Sequence, residues 1–401
     1  MGIKAIHNNK TQKRRDMFYY CLACILFVNI GLSCNYAPSP NQKEDKKASK
    51  QVSLDSLVNN VREITDAAGR KVMVCGKAKK VICSGAGCLR LLTYLNAHGN
   101  IVAVDGIEVK GSPIDARPYA IANPRFKTYP VFGEFRGYDN PELIAGLDPQ
   151  PEVIFKMLPG SGISPDMLNN KTGIPVVSLI YGNLTYNRHQ LNRSLRIMGD
   201  VTGEKQRAEA VIAYIDSIIT DLKTRSTKET SLTCYIGGLG QSGPHGIQST
   251  DPAFVPFAFL GLKNVASQGE DTEKVSYLNV AKEQIVVWDP AVIFIDISTL
   301  RLGADINALA QLRDDPSFKH LKAVKNNRVY GLFPNNSYNQ NIEVVLANAY
   351  YIGKIFFPEA FSDIDPMEKA EEISVFLNGG PAFAELNKMF GNTGFTQMAL
   401  Q

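Results

Sequence analysis

Glu142-Leu-Ile-Ala-Gly-Leu-Asp148-Pro149 returns 141 residues later as Glu283-Gln-Ile-Val-Val-Trp-Asp289-Pro290, and each is followed within a few residues by Val-Ile-Phe, at Val153-Ile-Phe155 and Val292-Ile-Phe294. In each copy a glutamate opens a short apolar helix, and Asp-Pro closes it because proline lacks an amide hydrogen and clashes with the preceding turn. The Val-Ile-Phe run that follows reads as a buried strand. The echo implies two copies of one α/β plan. It also puts Glu142 and Glu283 at equivalent outer positions, an arrangement suited to docking on a two-fold partner. The plainer alternative is that each glutamate simply favours a helix N-terminus.

Upstream of the first copy, residues 63–75 predict a strand pair turning at Gly69, and residues 79–83 a strand leading into Ser84-Gly-Ala-Gly87. Leu89, Leu91, Leu92 and Leu95 follow at helical spacing, and residues 101–104 form a further apolar strand, which completes a βαβ unit. The glycine turn does not fit a dinucleotide site. Arg90 stands where that fingerprint needs its third glycine for close helix packing.

Between the copies, residues 204–225 carry Ala208, Val211, Ile212, Ile215, Ile218, Ile219 and Leu222 as one amphipathic stripe. A helix of that length reaches ~33 Å, enough to cross between two small lobes. Strands are expected near 153–155 and 176–179 before it, and near 232–236, 292–295 and 329–332 after it. Helices over 342–357 and 366–378 close the chain. The expected fold class is α/β, two lobes joined by a single long helix. The expected divisions are 1–33 signal peptide, 34–60 tether, 61–203 first lobe, 204–226 interlobe helix, 227–360 second lobe and 361–401 helical extension.

The chain has 401 residues, 44% hydrophobic and 20% charged, enough for more than one globular core. Lys and Arg number 43 against 39 Asp and Glu. Five of those bases and one acid fall within the first 33 residues, so the remainder is balanced at 38 each. With no basic stripe to attract phosphate backbones, nucleic acid is not expected as a partner.

Lys10, Lys13, Arg14 and Arg15 precede an apolar run over 17–32 that ends in Gly31-Leu32-Ser33-Cys34, the order of a secretory signal. Small residues leading into Cys34 resemble a bacterial lipobox, which implies lipidation of Cys34; Leu32 sits one place late for that motif. An uncleaved membrane anchor is the alternative. Either places the body outside the cytoplasm. Residues 35–50, rich in Pro, Ser, Asn and Lys, read as a solvated tether. Cys75, Cys83, Cys88 and Cys234 form no CxxC pair, and buried thiols or one disulfide among the first three are both open.

Ile64-Thr-Asp66-Ala-Ala-Gly69-Arg70, the paired segments in which Asp-Pro leads shortly into Val-Ile-Phe, the long central helix and Gly243-Pro-His-Gly246-Ile-Gln-Ser-Thr250 together resemble the periplasmic-binding proteins of iron-siderophore, haem and cobalamin ABC importers. The likeness runs over roughly 62–360. It implies two Rossmann-like lobes with a ligand cleft between them, delivery to a membrane permease dimer, and a glutamate on each lobe pairing with permease arginines, a role that falls on Glu142 and Glu283.

Ligands in such sheets meet the loops beyond the carboxyl ends of the strands. Those loops supply Arg117, Tyr119, Arg136, Tyr138, Arg301 and Tyr338 and few carboxylates. Arginine forks suit carboxylates and phosphates, and tyrosine offers a face and a polar tip, so an anionic or carbonyl-bearing chelate is expected rather than a bare cation. His245, in its glycine-rich turn, is the candidate metal ligand, with a hydrogen-bonded surface histidine as the alternative. The expected function is a binding lipoprotein that carries a ferric siderophore, haem or cobalamin to an ABC importer, with no catalytic step and no required cofactor. An extracytoplasmic metal-dependent hydrolase, or a chelate-capture module without a permease, is the competing reading.

Overall fold

The computed structural model describes residues 61–111, 114–267, 277–303 and 305–400. The expected signal, Cys34 and the tether lie outside them. The first lobe opens with β1 (Val61–Thr65) and β2 (Lys71–Cys75), a two-stranded sheet. The strands β3 (Val81–Ser84), β4 (Val104–Asp105), β5 (Val131–Glu134), β6 (Tyr138–Asp139), β7 (Val153–Leu158) and β8 (Val176–Ile180) follow. β7 pairs in parallel with β3 on one side and β8 on the other, and β4 pairs in parallel with β5. A parallel bridge from Val81 to Ile101 joins the two sets. The order β5-β4-β3-β7-β8 is doubly wound, with its switch point between β3 and β7.

One strand is shorter than its sequence suggests. Ile101 makes a single bridge, and β4 keeps two residues because the register slips between Val104 and Asp105.

The turn between β1 and β2 explains the Thr-Asp-Ala-Ala-Gly-Arg motif. Asp66, fully buried, accepts from the amides of Ala68, Arg70 and Ser178 at 2.9 to 3.0 Å, and from Arg70 Nε and Nη2 at 3.0 and 2.8 Å. Arg70 Nη2 also donates to Val176 O and Ser178 Oγ, so one ion pair fastens the hairpin to β8. Asp66→Ala strands these donors and is expected to cost about 2–4 kcal/mol. Urea unfolding checks this, and an unmoved midpoint would reduce the network to decoration.

The second lobe contains β9 (Thr233–Gly237), β10 (Ser249–Thr250), β11 (Lys263–Asn264), β12 (Leu278–Asn279), β13 (Val292–Asp296) and β14 (Val329–Leu332). Its sheet runs β11-β9-β13-β14, all parallel, with the switch point between β9 and β13; β10 and β12 form a separate antiparallel ribbon. The sequence echo therefore has a structural counterpart. β7 and β13 take the same place, beside the first strand of their sheet, and each is preceded by a short helix, Pro141–Ala145 or Lys282–Trp288. Ile144 and Ile285 anchor these helices in the core, while Glu142 and Glu283 are exposed two residues earlier. The first helix stops at Ala145, short of Asp148. The second runs to Trp288, where Asp289 turns left-handed at φ 43°.

The helix Lys205–Arg225 buries Ala208, Val211, Ile212, Ile215, Ile218 and Leu222, the expected stripe without the half-buried Ile219. Near its start Arg207 Nε donates to Tyr94 O in the first lobe at 2.8 Å, and near its end Asp221 accepts from Tyr350 in the second at 2.7 Å. A helix that the sequence reading missed, Arg188–Thr202, precedes it and packs on β8 through Leu191, Leu195 and Met198.

The long helix is not the sole tie between the lobes. Helix Pro366–Asn378 packs back on the first-lobe helices Cys88–Tyr94 and Pro118–Ala122. The chain then returns to the second lobe along β14, where Gly331 N donates to Thr396 O, Phe395 N to Gly331 O and Met398 N to Val329 O at 2.8 to 2.9 Å.

Candidate functional site

Beyond the carboxyl ends of β3 and β9 lies a cleft of about 720 Å³ lined by both lobes. The first lobe contributes Lys110, Asp115, Arg117 and Arg136, and the second contributes the 240–244 loop, Ser298, Arg301 and Tyr338. Four cations thus face one carboxylate. Arg117 cancels Asp115 directly, its Nε and Nη2 donating at 2.8 and 2.9 Å. Lys110, Arg136 and Arg301 are exposed in the cleft, and among the described residues none has a carboxylate partner. Lys110 and Arg136 lie over the ring of Phe135 at 6.0 and 5.4 Å, which holds them near the opening without neutralising them.

The residues expected at the ligand are sorted by their environments. Arg117, Arg136, Arg301 and Tyr338 line the cleft; Tyr119, Tyr138 and His245 do not. Arg117 is buried and its donors are used within the protein, on Asp115, on Glu108 at 2.9 Å, on Ile107 O and on Tyr119 Oη. Tyr119, fully buried, donates to Glu108 at 2.6 Å, and its ring lies 4.9 Å from the Arg90 guanidinium. These two belong to a buried ion cluster behind the wall, where burial pushes the Glu108 carboxyl up against the pull of Arg117 and the Tyr119 hydroxyl. Tyr138 is 54% exposed and sits beside Glu142 in a separate surface hollow. The His245 ring donates from Nε2 to Gln241 O at 2.8 Å, and its carbonyl accepts from Thr299, so it braces its own loop. Among the described residues no group of three His, Cys, Asp or Glu side chains could hold a metal.

Lys156, in β7, also turns inward. Its ammonium is buried, donating to Asp139 at 2.5 Å and to Gly137 O at 3.0 Å, which fixes the turn that carries Arg136. Gly137 is required there. At φ +86° an added Cβ would meet Ser161 O at 3.1 Å and Lys156 Nζ at 3.2 Å. Cys83 and Cys88 are buried thiols, Cys88 Sγ donating to Phe155 O, and burial pushes the Cys83 thiol up.

The largest feature missed in the sequence is Arg90. It is fully buried, and its guanidinium donates to Tyr181 Oη at 2.9 Å, Gln340 O at 3.0 Å, Ser337 O at 2.9 Å and Asn341 Oδ1 at 2.5 Å. Its Nε lies 3.8 Å from the carboxylate of buried Glu343, which also accepts from Tyr94. Burial opposes the charge, but the surrounding phenols and Glu343 outweigh it and hold Arg90 cationic. The residue that ruled out a dinucleotide motif is therefore a first-lobe pin through a second-lobe loop. Gly87, just before it, has the Tyr181 ring against its α-carbon, and a Cβ there would come within 2.3 Å of that ring.

The pinned loop, residues 335–341, crosses to the first lobe. Tyr338 donates from its hydroxyl to Asp105 Oδ2 at 2.6 Å and accepts from the Arg136 amide at 2.7 Å, while Asn339 Nδ2 donates to Ala86 O at 3.0 Å. Burial, with Glu108 nearby, pushes the Asp105 carboxyl up to about 8.

Two doubly wound lobes enclosing a cleft define a two-lobed binding protein. The chain belongs to the periplasmic binding protein family, whose sequence profile matches residues 81–335. A periplasmic solute binding protein from Veillonella parvula is similar at TM-score 0.62 and 18% identity, over 84% of this chain and 98% of its own. The molybdate-bound MolA of Haemophilus influenzae gives 0.58 and 17%, over 80% and 98%. The TroA-like periplasmic binding protein FepB from Veillonella parvula gives 0.56 and 20%, over 79% and 95%. At these identities the likeness is one of fold. No curated protein matches the chain. Membership in this family implies an extracytoplasmic location.

Proposed function

We propose that the protein is a lipid-anchored binding protein that captures an anionic metal chelate, a ferric siderophore, haem or a corrinoid, and delivers it to the permease dimer of an ABC importer. The carrying observation is the cleft with three cations, Lys110, Arg136 and Arg301, drawn from both lobes and without a carboxylate partner among the described residues. Its volume suits a ligand of drug size, ~300–1,000 Å³, and a bare oxyanion would leave most of it to water. Tyr338 presents a ring face to the cargo. Cys34 carries the lipid, and Glu142 with Glu283 meets the permease. Holding and releasing need no bond to be made or broken.

Absorption and native mass spectra of the purified body, followed by titration with haemin, ferric citrate and an iron tris-catecholate, test the reading. Arg136→Ala and Arg301→Ala are each expected to weaken an anionic chelate about tenfold or more, the scale of one charge-assisted hydrogen bond. Salt should narrow the difference. A neutral chelate bound equally well by wild type and both variants would overturn the anionic assignment.

A further inference from the structure

We propose that Tyr338 and Asp105 act as a positioning relay for Arg136, so that a hydrogen bond made between the lobes sets how strongly the cleft holds an anion. The inference rests on the anion-binding reading of the cleft and adds Asp105 and the hydroxyl of Tyr338 to it, neither of which needs to touch the cargo.

The geometry starts at Arg136. Its backbone is left-handed, φ 65° and ψ 22°, a conformation disfavoured for a residue with a side chain. Something must hold it there. On the first-lobe side, Ser161 N donates to Arg136 O at 3.1 Å, and Lys156 grips the next carbonyl, that of Gly137. The amide of Arg136 itself is taken by the Tyr338 hydroxyl, from the opposite lobe. A phenol oxygen accepts well only when its own hydrogen points elsewhere, and Asp105 at 2.6 Å receives that hydrogen.

Asp105 caps the short helix Gly106–Val109, accepting from Ile107 N at 3.3 Å, so the acceptor is fixed to the first-lobe frame. Tyr338 is fixed in turn, because Arg90 holds the carbonyls on either side of it, Ser337 and Gln340. The chain of dependence runs from Asp105 through Tyr338 to the Arg136 backbone, and its output is the direction in which an unpaired guanidinium enters the cleft. Tyr338 and Asn339, at φ 53° and 84°, are left-handed as well, so this crossing is built from conformations that persist only while their partners stay in place.

The test has a cargo-free arm and a binding arm. In wild type the Arg136 amide is expected to be protected from hydrogen exchange. Tyr338→Phe, which keeps the ring, and Asp105→Ala should each speed that exchange about tenfold while first-lobe core amides stay unchanged. Asp105→Asn, whose carbamoyl oxygen still accepts, should restore protection.

In the binding arm, ferric citrate, haemin and an iron tris-catecholate are titrated into each variant. Tyr338→Phe is expected to lose about tenfold in affinity for whichever chelate binds, and nothing further when Arg136 is already Ala. An equal loss in both backgrounds, or unchanged exchange at Arg136 in Tyr338→Phe, would overturn the relay. Failure of all three chelates to bind would sink the cargo reading instead, and the exchange arm would then decide the relay alone.

Discussion

Replacing Arg90 with Met is expected to cost about 3–5 kcal/mol and to lower Tm by roughly 5–10 °C. The side chain is fully buried and donates to two carbonyls, a phenol and an amide oxygen. Methionine fills much of the volume but satisfies none of them, and it leaves Glu343 as a buried charge with its cation gone. Breaking one side of such a pair is far more damaging than removing both. Adding Glu343→Gln should therefore recover part of the loss. The 335–341 loop should also loosen from the first lobe, visible as faster exchange of its amides. A Tm within about 1 °C of wild type would show that the pin contributes nothing to joining the lobes.

Reversing both outer glutamates, Glu142→Arg with Glu283→Arg, is expected to reduce permease-dependent uptake at least 100-fold while leaving chelate affinity within about twofold. Both are exposed, each in the first turn of an equivalent helix, and among the described residues neither is engaged by a cation. Two acids in matched positions suit a partner that presents the same basic patch twice, and like charges forced together at an interface cost several kcal/mol. Exposed apolar neighbours extend the surface, Leu143 on one lobe and Val286 and Val287 on the other. Uptake at the wild-type rate would remove the docking role. A fall in chelate affinity would point to misfolding.

What could be read from the chain follows from the range of the interactions involved. The strand and helix periodicities, the Asp-Pro echo and the stripe from Ala208 to Leu222 are local patterns, and the structure keeps most of them, with a shorter strand after Ile101, a first echo helix that ends at Ala145 and a half-buried Ile219 as the departures. The cleft's makeup was legible only in part. Among the described residues Arg136 and Arg301 have no carboxylate partner and stay in the opening, but Arg117 is claimed by the nearby acids Asp115 and Glu108. Arg90 was harder still. Its partners lie some 250 residues downstream, and no spacing rule connects a helix in one lobe to carbonyls in the other. Helix Arg188–Thr202 is a different case, since Leu191, Leu195 and Met198 form a local stripe at helical spacing that the sequence itself carries.

Pro366–Asn378 grips the first-lobe helices, and residues 393–398 extend the second-lobe sheet, so contacts that complete both lobes come from residues made after both lobes' sheets. A nascent polypeptide emerging head first has its anion-attracting loops before it has the brace behind them. The brace across the two lobes is thereby deferred until residues 366–398 have left the ribosome, and a product stopped before them would carry the cleft loops without their support.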